Sequence, residues 1–400
     1  MLLSPGTFPL TLLLAMLAGM GPLSVDMYLA SLPDMSRLLA APTSQVQLTI
    51  SFYLLGFAVA QVFWGPLSDR RGRKPVLLAA LSIYLMATLA CALAVSIEAL
   101  IAARFAQAVG ASGAIVLARA VVRDMYDGAL LGRELSRMAS IMALAPLIAP
   151  LAGGVLQTAF GWRSNFVTLF FVGAMAAGMV WLLLPETLRQ KAPEPLSVMS
   201  ILRSYRRFLG EPTFVIYLGI AICCMAGLFA WISTSAFILQ DIYGQSPFAF
   251  GITFTIASGG YLIGTIIGAR LVTRLGGVLT MNVGAAGMAM GGLASVLVVG
   301  LGGHQAYGLV IAVAIYMVGM GMAWPQAQAG ALLPFPDRAG AASSLLGFLT
   351  QTNSAIVGAI LGHVLSTTAW PFAIASALAG CCALVLCLLT RSARGGSAPA

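Results

Sequence analysis

Long apolar runs alternate with short polar breaks along most of this chain. Each run reaches the roughly 20 residues that a helix needs to cross the hydrocarbon core of a bilayer. The pattern predicts twelve spans. They cover 8–32, 45–67, 76–96, 98–122, 136–158 and 164–185, then 212–238, 248–272, 278–301, 304–326, 339–363 and 368–390. Most connections are short, so successive helices are antiparallel. Lipid offers no partner to a backbone amide, which confines irregular structure to loops and cavity linings. The expected fold class is therefore an all-α membrane protein.

The widest polar stretch, 186–211, follows Pro185 and holds Pro193, Pro195 and five basic residues. It separates two groups of six spans: an N-terminal half, 1–185, and a C-terminal half, 212–400, ending in a short tail. A faint repeat supports the division. After span 2 the chain reads Asp69-Arg70-Arg71-Gly72, and after span 8 it reads Thr273-Arg274-Leu275-Gly276. The arginine and the glycine recur in place, and the aspartate becomes threonine. Two related halves about an axis along the membrane normal are expected.

Composition agrees with the spans. Hydrophobic residues make up 60% of the chain and charged residues 8%, against about 45–50% and about 25% in a soluble domain. The first span lacks a basic leader and is too long for a cleaved signal. The six cysteines, Cys91, Cys223, Cys224, Cys381, Cys382 and Cys387, all lie in apolar spans without metal-ligand spacing. They read as small buried hydrophobes, with neither disulfide nor metal implied.

The net charge of +9 matters through its placement. Arg70, Arg71, Arg73 and Lys74 follow span 2, and Arg119, Arg123, Arg133 and Arg137 surround the span 4–5 loop. Arg189, Lys191, Arg203, Arg206 and Arg207 occupy the central stretch, and Arg270, Arg274, Arg338, Arg391 and Arg394 follow spans 8, 10 and 12. Twelve-span threading puts all of these on one side, leaving Arg37 and Arg163 on the other and Arg104 within span 4. Basic loops are cytoplasmic, so both termini are expected in the cytoplasm. Short basic loops without aromatic interleaving argue against nucleic acid as a partner.

Several motifs carry chemistry. Gly65-Pro-Leu-Ser-Asp69-Arg70-Arg71-Gly72-Arg73-Lys-Pro75 combines two turn-permitting glycines, an acid and a basic run. Span 4 contains Arg104-Phe-Ala-Gln107-Ala-Val-Gly110, and an arginine inside a span is costly and by default functional. Span 5 carries Pro146, Pro150, Gly153 and Gly154, which break backbone hydrogen bonds and thin one helix face. Asp26 is the acid lying well inside a span; Asp34 and Glu98 sit near periplasmic ends, Asp241 is in the span 7–8 loop, and the rest are cytoplasmic. His304 and His363 fall near span ends and read as interfacial.

These motifs resemble those of the major facilitator superfamily. Residues 65–75 are similar to its signature loop, Arg104–Gly113 to its span 4 motif, and Ala145–Gly154 to its antiporter motif with alanine where glycine is usual. Asp26-Met-Tyr28-Leu-Ala-Ser-Leu-Pro33, Ala118-Arg119…Arg123-Asp124, Gly161-Trp-Arg163, Pro185-Glu186-Thr187 and Ala339…Phe348 resemble its Bcr/CflA drug:proton antiporters. Ala30 stands where that group often has proline. The resemblance implies the major facilitator fold and proton-coupled export of small lipophilic drugs, chloramphenicol- or bicyclomycin-like. It implies a bacterial inner-membrane monomer that needs no cofactor, the proton gradient being its driving force. Its partners are then a small-molecule drug, protons and the lipid bilayer. It assigns proton coupling to Asp26 and Arg104, and conformational control to Gly65, Asp69, Arg70, Gly72, Arg73, Arg119 and Arg123. Asp69 is expected to bind Arg119 or Arg123 and the start of span 11 near Gly340–Ser343.

Tyr28, Tyr53, Phe229, Phe254, Tyr261 and Tyr316 are candidate cavity-lining residues, because aromatic surfaces re-pack around varied ligands. A carrier of an endogenous metabolite such as a sugar is the alternative. A charged substrate would demand more counter-charges within the spans than Asp26 and Arg104. No Gly-x-x-x-x-Gly-Lys-Ser/Thr run is present for nucleotide binding. No nucleophile–base or Cys/His cluster falls within the spans, so an enzyme is not expected.

Overall fold

A computed structural model describes residues 5–126, 128–188, 198–302, 306–335, 338–364 and 368–394. Arg189, Lys191, Pro193, Pro195 and His304 lie outside the described residues. The regular structure described is helical. It runs α1 (Phe8–Asp26), α2 (Leu32–Leu38), α3 (Thr43–Arg71), α4 (Arg73–Ala92), α5 (Ile97–Met125), α6 (Gly128–Met142) and α7 (Ala145–Phe160). It continues with α8 (Arg163–Leu183), α9 (Val198–Leu209), α10 (Pro212–Phe237), α11 (Pro247–Gly300), α12 (Ala306–Leu332), α13 (Ala339–Val364) and α14 (Trp370–Arg394).

Among the described residues, eleven helical stretches are long and apolar enough to cross a membrane. One of them, α11, has 54 residues and is broken at Gly276, whose φ of 78° and ψ of 164° leave the helical region. Counting its two arms separately restores the twelve crossings predicted from the pattern. Gly72, between α3 and α4, has the same kind of backbone, φ 105° and ψ 151°. Only glycine adopts this region without strain. The repeat seen in the sequence is thus a repeat of backbone geometry.

Two spans are split where proline removes a helical N–H. After Asp26 the chain turns and forms a short 3₁₀ segment, Leu29–Ser31, before α2, which has Pro33 in its first turn. The break forms although Ala30 replaces the proline usual in the related group. Span 5 divides at residues 143–144, between α6 and α7, with Pro146 in the first turn of α7. The apolar stretch here runs from Leu130 to Phe160, so it begins earlier than the boundary of 136 read from the sequence.

The chain forms two compact units. The first is Met1–Leu196 with Pro247–Gly251, and the second is Ser197–Ser246 with Ile252–Ala400. The first unit packs α3 and α4 against α5, and α4 against α8. Gly110 brings α5 against the Tyr84 and Ala80 backbone of α4, leaving no room for a methyl group. In the second unit α10 packs against α12, α13 and α14. Gly260, Gly264 and Gly268 lay α11 on the backbone of Ala314, Val318 and Met322 in α12. Small residues that admit such approach are the usual means of helix association in lipid.

Candidate functional site

The interior of the first unit is built around Arg104 on α5. Its side chain is fully buried. The guanidinium carbon lies 4.3 Å from the ring centre of Tyr28, 4.2 Å from that of Tyr53 and 5.8 Å from that of Phe166. A desolvated cation over an aromatic face gains roughly 2 kcal/mol or more. One nitrogen, Nη1, donates to Gln107 Oε1, one turn along the helix. Gln107 Nε2 donates to Thr88 Oγ1 at 2.8 Å, and Thr88 donates to the Tyr84 carbonyl at 2.6 Å. Tyr84 and Ser24 hydroxyls meet at 2.9 Å, Tyr28 and Thr49 hydroxyls at 3.0 Å, and Tyr53 donates to the Gly21 carbonyl at 3.3 Å. Arg104 Nε and Nη2 are buried without a partner.

Asp26 closes α1, two residues before Tyr28, and is 5% exposed. Among the described residues no hydrogen bond or ion pair reaches its carboxylate. Arg104 forms no salt bridge with it; the charge expected to act on the proton site is held by rings. The backbone at the break is pinned by α7, because a Cβ on Gly153 would overlap the Met27 carbonyl oxygen. The glycine of the antiporter-like motif thereby fixes the segment that carries Asp26. Pro150 and Gly154 are buried on the same helix, and Pro146 is half-buried.

Asp34 is already engaged. It accepts from Gln157 Nε2 and pairs with Arg37 at 2.9 Å. Gln157 also accepts from Ser31, whose hydroxyl receives Asn165 Nδ2 at 2.9 Å.

The loop at Gly65–Pro75 forms a second cluster. Arg73, not Arg119 or Arg123, is the partner of Asp69. Its Nη1 donates to Asp69 Oδ1 and, at 2.6 Å, to Ser68 Oγ, and its Nε donates to Asp124 Oδ2 at 2.7 Å. Asp124 also accepts from Thr187 Oγ1 at 3.3 Å. Glu186 takes the Arg73 and Lys74 amides at 2.9 and 3.2 Å. Three stretches singled out in the sequence, 65–75, 118–124 and 185–187, thus meet at one corner of the unit. The positive φ of Gly72 brings its Cα against the Glu186 carboxylate, 2.6 Å from where a Cβ would stand. Arg70, Arg119 and Arg123 are exposed, and Gly65 is half-buried. Arg119 and Arg123 are exposed on α5, whereas Arg73, the first residue of α4, follows Asp69 by four residues across the Gly72 turn and reaches it.

In the second unit Trp231 stacks on Phe254 at 6.1 Å and 18°, and lies 5.3 Å from Phe372. Tyr316 donates to the Cys223 carbonyl at 3.4 Å. Phe229 is buried and Tyr261 half-buried. Tyr28 and Tyr53, also read from the sequence as cavity lining, lie over the Arg104 guanidinium.

Sequence reasoning missed Glu134. Placed in the cytoplasmic loop by the span 5 boundary, it lies on α6 at 2% exposure, accepts from Thr11 Oγ1 and pairs with Arg137 at 3.5 Å. Helical spacing of Leu130, Leu131, Leu135 and Met138 around it was the available signal.

Comparison with known proteins bears on this arrangement. A family model described as Major Facilitator Superfamily matches residues 12–352. The uncharacterized MFS-type transporter YdgK of Bacillus subtilis is 35% identical over 372 residues, 90% of each chain. Multidrug resistance protein D of Escherichia coli is 30% identical over 385 residues, 96% of each. A bicyclomycin resistance protein homolog of Haemophilus influenzae is 29% identical over 367 residues, 91% of this chain and 92% of that one. Among solved structures, the xylose transporter XylE of E. coli superposes with a TM-score of 0.75 at 14% identity, covering 96% of this chain and 97% of that one.

Proposed function

Given that the chain belongs to the major facilitator superfamily, we propose that this multi-pass membrane protein exports small lipophilic compounds in exchange for protons, with Asp26 as the proton carrier. The observation that carries the reading is the isolation of Asp26. Its carboxyl is buried at the break in the first span, with no donor or cation upon it among the described residues, so none of them holds it permanently ionised. The names of the drug-resistance relatives support the substrate class.

Arg104 stays charged throughout, because guanidinium does not lose its proton. When Asp26 is ionised, the two mid-span charges of the first unit cancel. When it takes a proton, one positive charge remains. A lipophilic cation or dipole is then held in the first state and released in the second. Inward-facing exposure loads the compound and sheds the proton to the cytoplasm; outward-facing exposure reverses both. For a neutral compound each cycle moves one net charge, and about 100 mV then supplies roughly 2.3 kcal/mol, about a 50-fold gradient; for a monovalent cation the exchange is electroneutral and the pH gradient alone drives it. Both termini are cytoplasmic in this reading, the membrane is the bacterial inner membrane, and the working unit is a monomer. A sugar-like metabolite fits less well, because Arg104 is caged by rings and, among the described residues, no hydroxyl bonds to Asp26.

The test is Asp26→Asn in inverted vesicles energised by a proton gradient. Uptake of cationic and neutral lipophilic drugs by the variant should lose its dependence on the gradient while binding of some neutral compounds persists. Undiminished coupling would place the proton path elsewhere. Asp34 is a poor substitute, since Arg37 and Gln157 already hold it.

A further inference from the structure

The central linker ends in α9, whose chemistry export does not use. In the sequence, apolar positions 198, 201, 202, 205, 208 and 209 recur at helical spacing, and Arg203, Arg206 and Arg207 fall between them at i, i+3 and i+4. No acidic residue occurs in 198–209. The helix belongs to the second unit. Phe208 is fully buried there, 4.6 Å from Phe335 and 6.1 Å from Phe214 between ring centres. The Tyr205 hydroxyl meets Ser344 Oγ of α13 at 3.3 Å. The three arginines are exposed and form no ion pair among the described residues.

We infer that α9 is a docking surface for acidic phospholipid headgroups, with Arg203, Arg206 and Arg207 as the binding triad and the Phe208 cluster as the anchor that holds them rigid. The helix belongs to the basic central stretch, which the threading assigns to the cytoplasmic side. Connected by two residues to α10, which starts a span at Pro212, it cannot leave the headgroup level by more than a few ångströms. An amphipathic helix with arginine on its polar face is the form that binds anionic interfaces. Each such arginine changes affinity for an acidic surface about fivefold. Charge complementarity selects the occupant: guanidinium groups one turn apart take phosphate oxygens in pairs, and zwitterionic headgroups cancel that attraction. Because the Tyr205–Ser344 contact ties α9 to α13, a bound lipid also bears on the start of that span.

The full chain, solubilised in detergent, is titrated with short-chain phosphatidylglycerol and, separately, phosphatidylcholine of equal chain length, reading bound lipid by native mass spectrometry. Wild type should prefer phosphatidylglycerol by more than fivefold. Arg203→Gln/Arg206→Gln/Arg207→Gln should lose most of that preference, with the thermal transition in lipid-free detergent unchanged because Phe208 and Tyr205 remain. Arg270→Gln/Arg274→Gln, exposed on the same unit, should keep it. Equal loss in both variants, or none in the α9 variant, overturns the inference in favour of diffuse charge. Inorganic phosphate competing with the lipid at equal concentration would show a soluble anion site and equally overturn it. None of these readings depends on the transported compound.

Discussion

The first unit buries Asp26, Arg104, Gln47, Gln107, Glu134 and Asn165 among its polar side chains, whereas the polar side chains buried in the second, among the described residues, are serine and threonine. Those hydroxyls mostly return to their own helix: Thr350 to Leu346, Ser354 to Thr350, Ser376 to Ala373. The contrast repeats in the two related turns. Gly72 is framed by Arg73, Asp69, Asp124 and Glu186. Gly276 has the same kind of backbone, but among the described residues Thr273 bonds only to the Arg270 carbonyl, and Gly277 stands where the ion-pairing arginine would be. One backbone geometry thus carries charge chemistry in one unit and an open turn, where a Cβ on Gly276 would meet nothing, in the other. On the proposed function, the first unit handles the proton and the second is a neutral frame.

The largest effect should come from breaking the neutral frame. A Cβ on Gly264 would overlap the Val318 carbonyl, whereas one on Gly259 meets nothing. Gly264→Val should cost about 3 kcal/mol or more, seen as loss of folded protein in size-exclusion chromatography and a lower melting temperature. Gly259→Ala should leave both unchanged or slightly raised. Equal tolerance at the two positions would remove the case for packing as the second unit's organising principle.

Next is the charged interior. Arg104→Gln removes the cation from three rings and should cost about 2–4 kcal/mol, with at least a tenfold loss of gradient-driven transport. Arg104→Lys keeps the charge but not the planar stack. Melting temperature should fall in both, while the pH profile of transport should survive only in the lysine variant. A lysine variant whose profile shifts as far as that of glutamine would make geometry, not charge, the arginine's contribution.

A smaller loss is expected at the ionic corner. Arg73→Gln leaves Asp124 and Asp69 without their cation. Asp69 is 44% exposed, so solvent screens part of the effect. Destabilisation should be on the order of 1 kcal/mol, and salt should narrow the difference from wild type. The smallest effect is Ser376→Ala, below about 1 kcal/mol, since its hydroxyl serves only its own turn. A loss as large as that of Arg104→Gln there would give the second unit a polar role and dissolve the comparison.

The long apolar helices, the glycine turns at 72 and 276 and the placing of Asp26 and Arg104 on apolar helices were all legible in the chain. Each rests on a local quantity: transfer of an apolar run into lipid, the sign of a nearby loop charge, or a backbone angle only glycine adopts. Tertiary structure decided what those residues touch. Arg104 stacks on Tyr28, Tyr53 and Phe166, Asp69 takes Arg73 rather than Arg119 or Arg123, and Glu134 is drawn under α1 to meet Thr11. Apolar spans hide these choices, because a helix that is hydrophobic all round has no amphipathic face to announce its rotation. In lipid that rotation is set by glycine contacts and buried hydrogen bonds between residues distant in sequence, and it is the rotation that selects the partners of a buried charge.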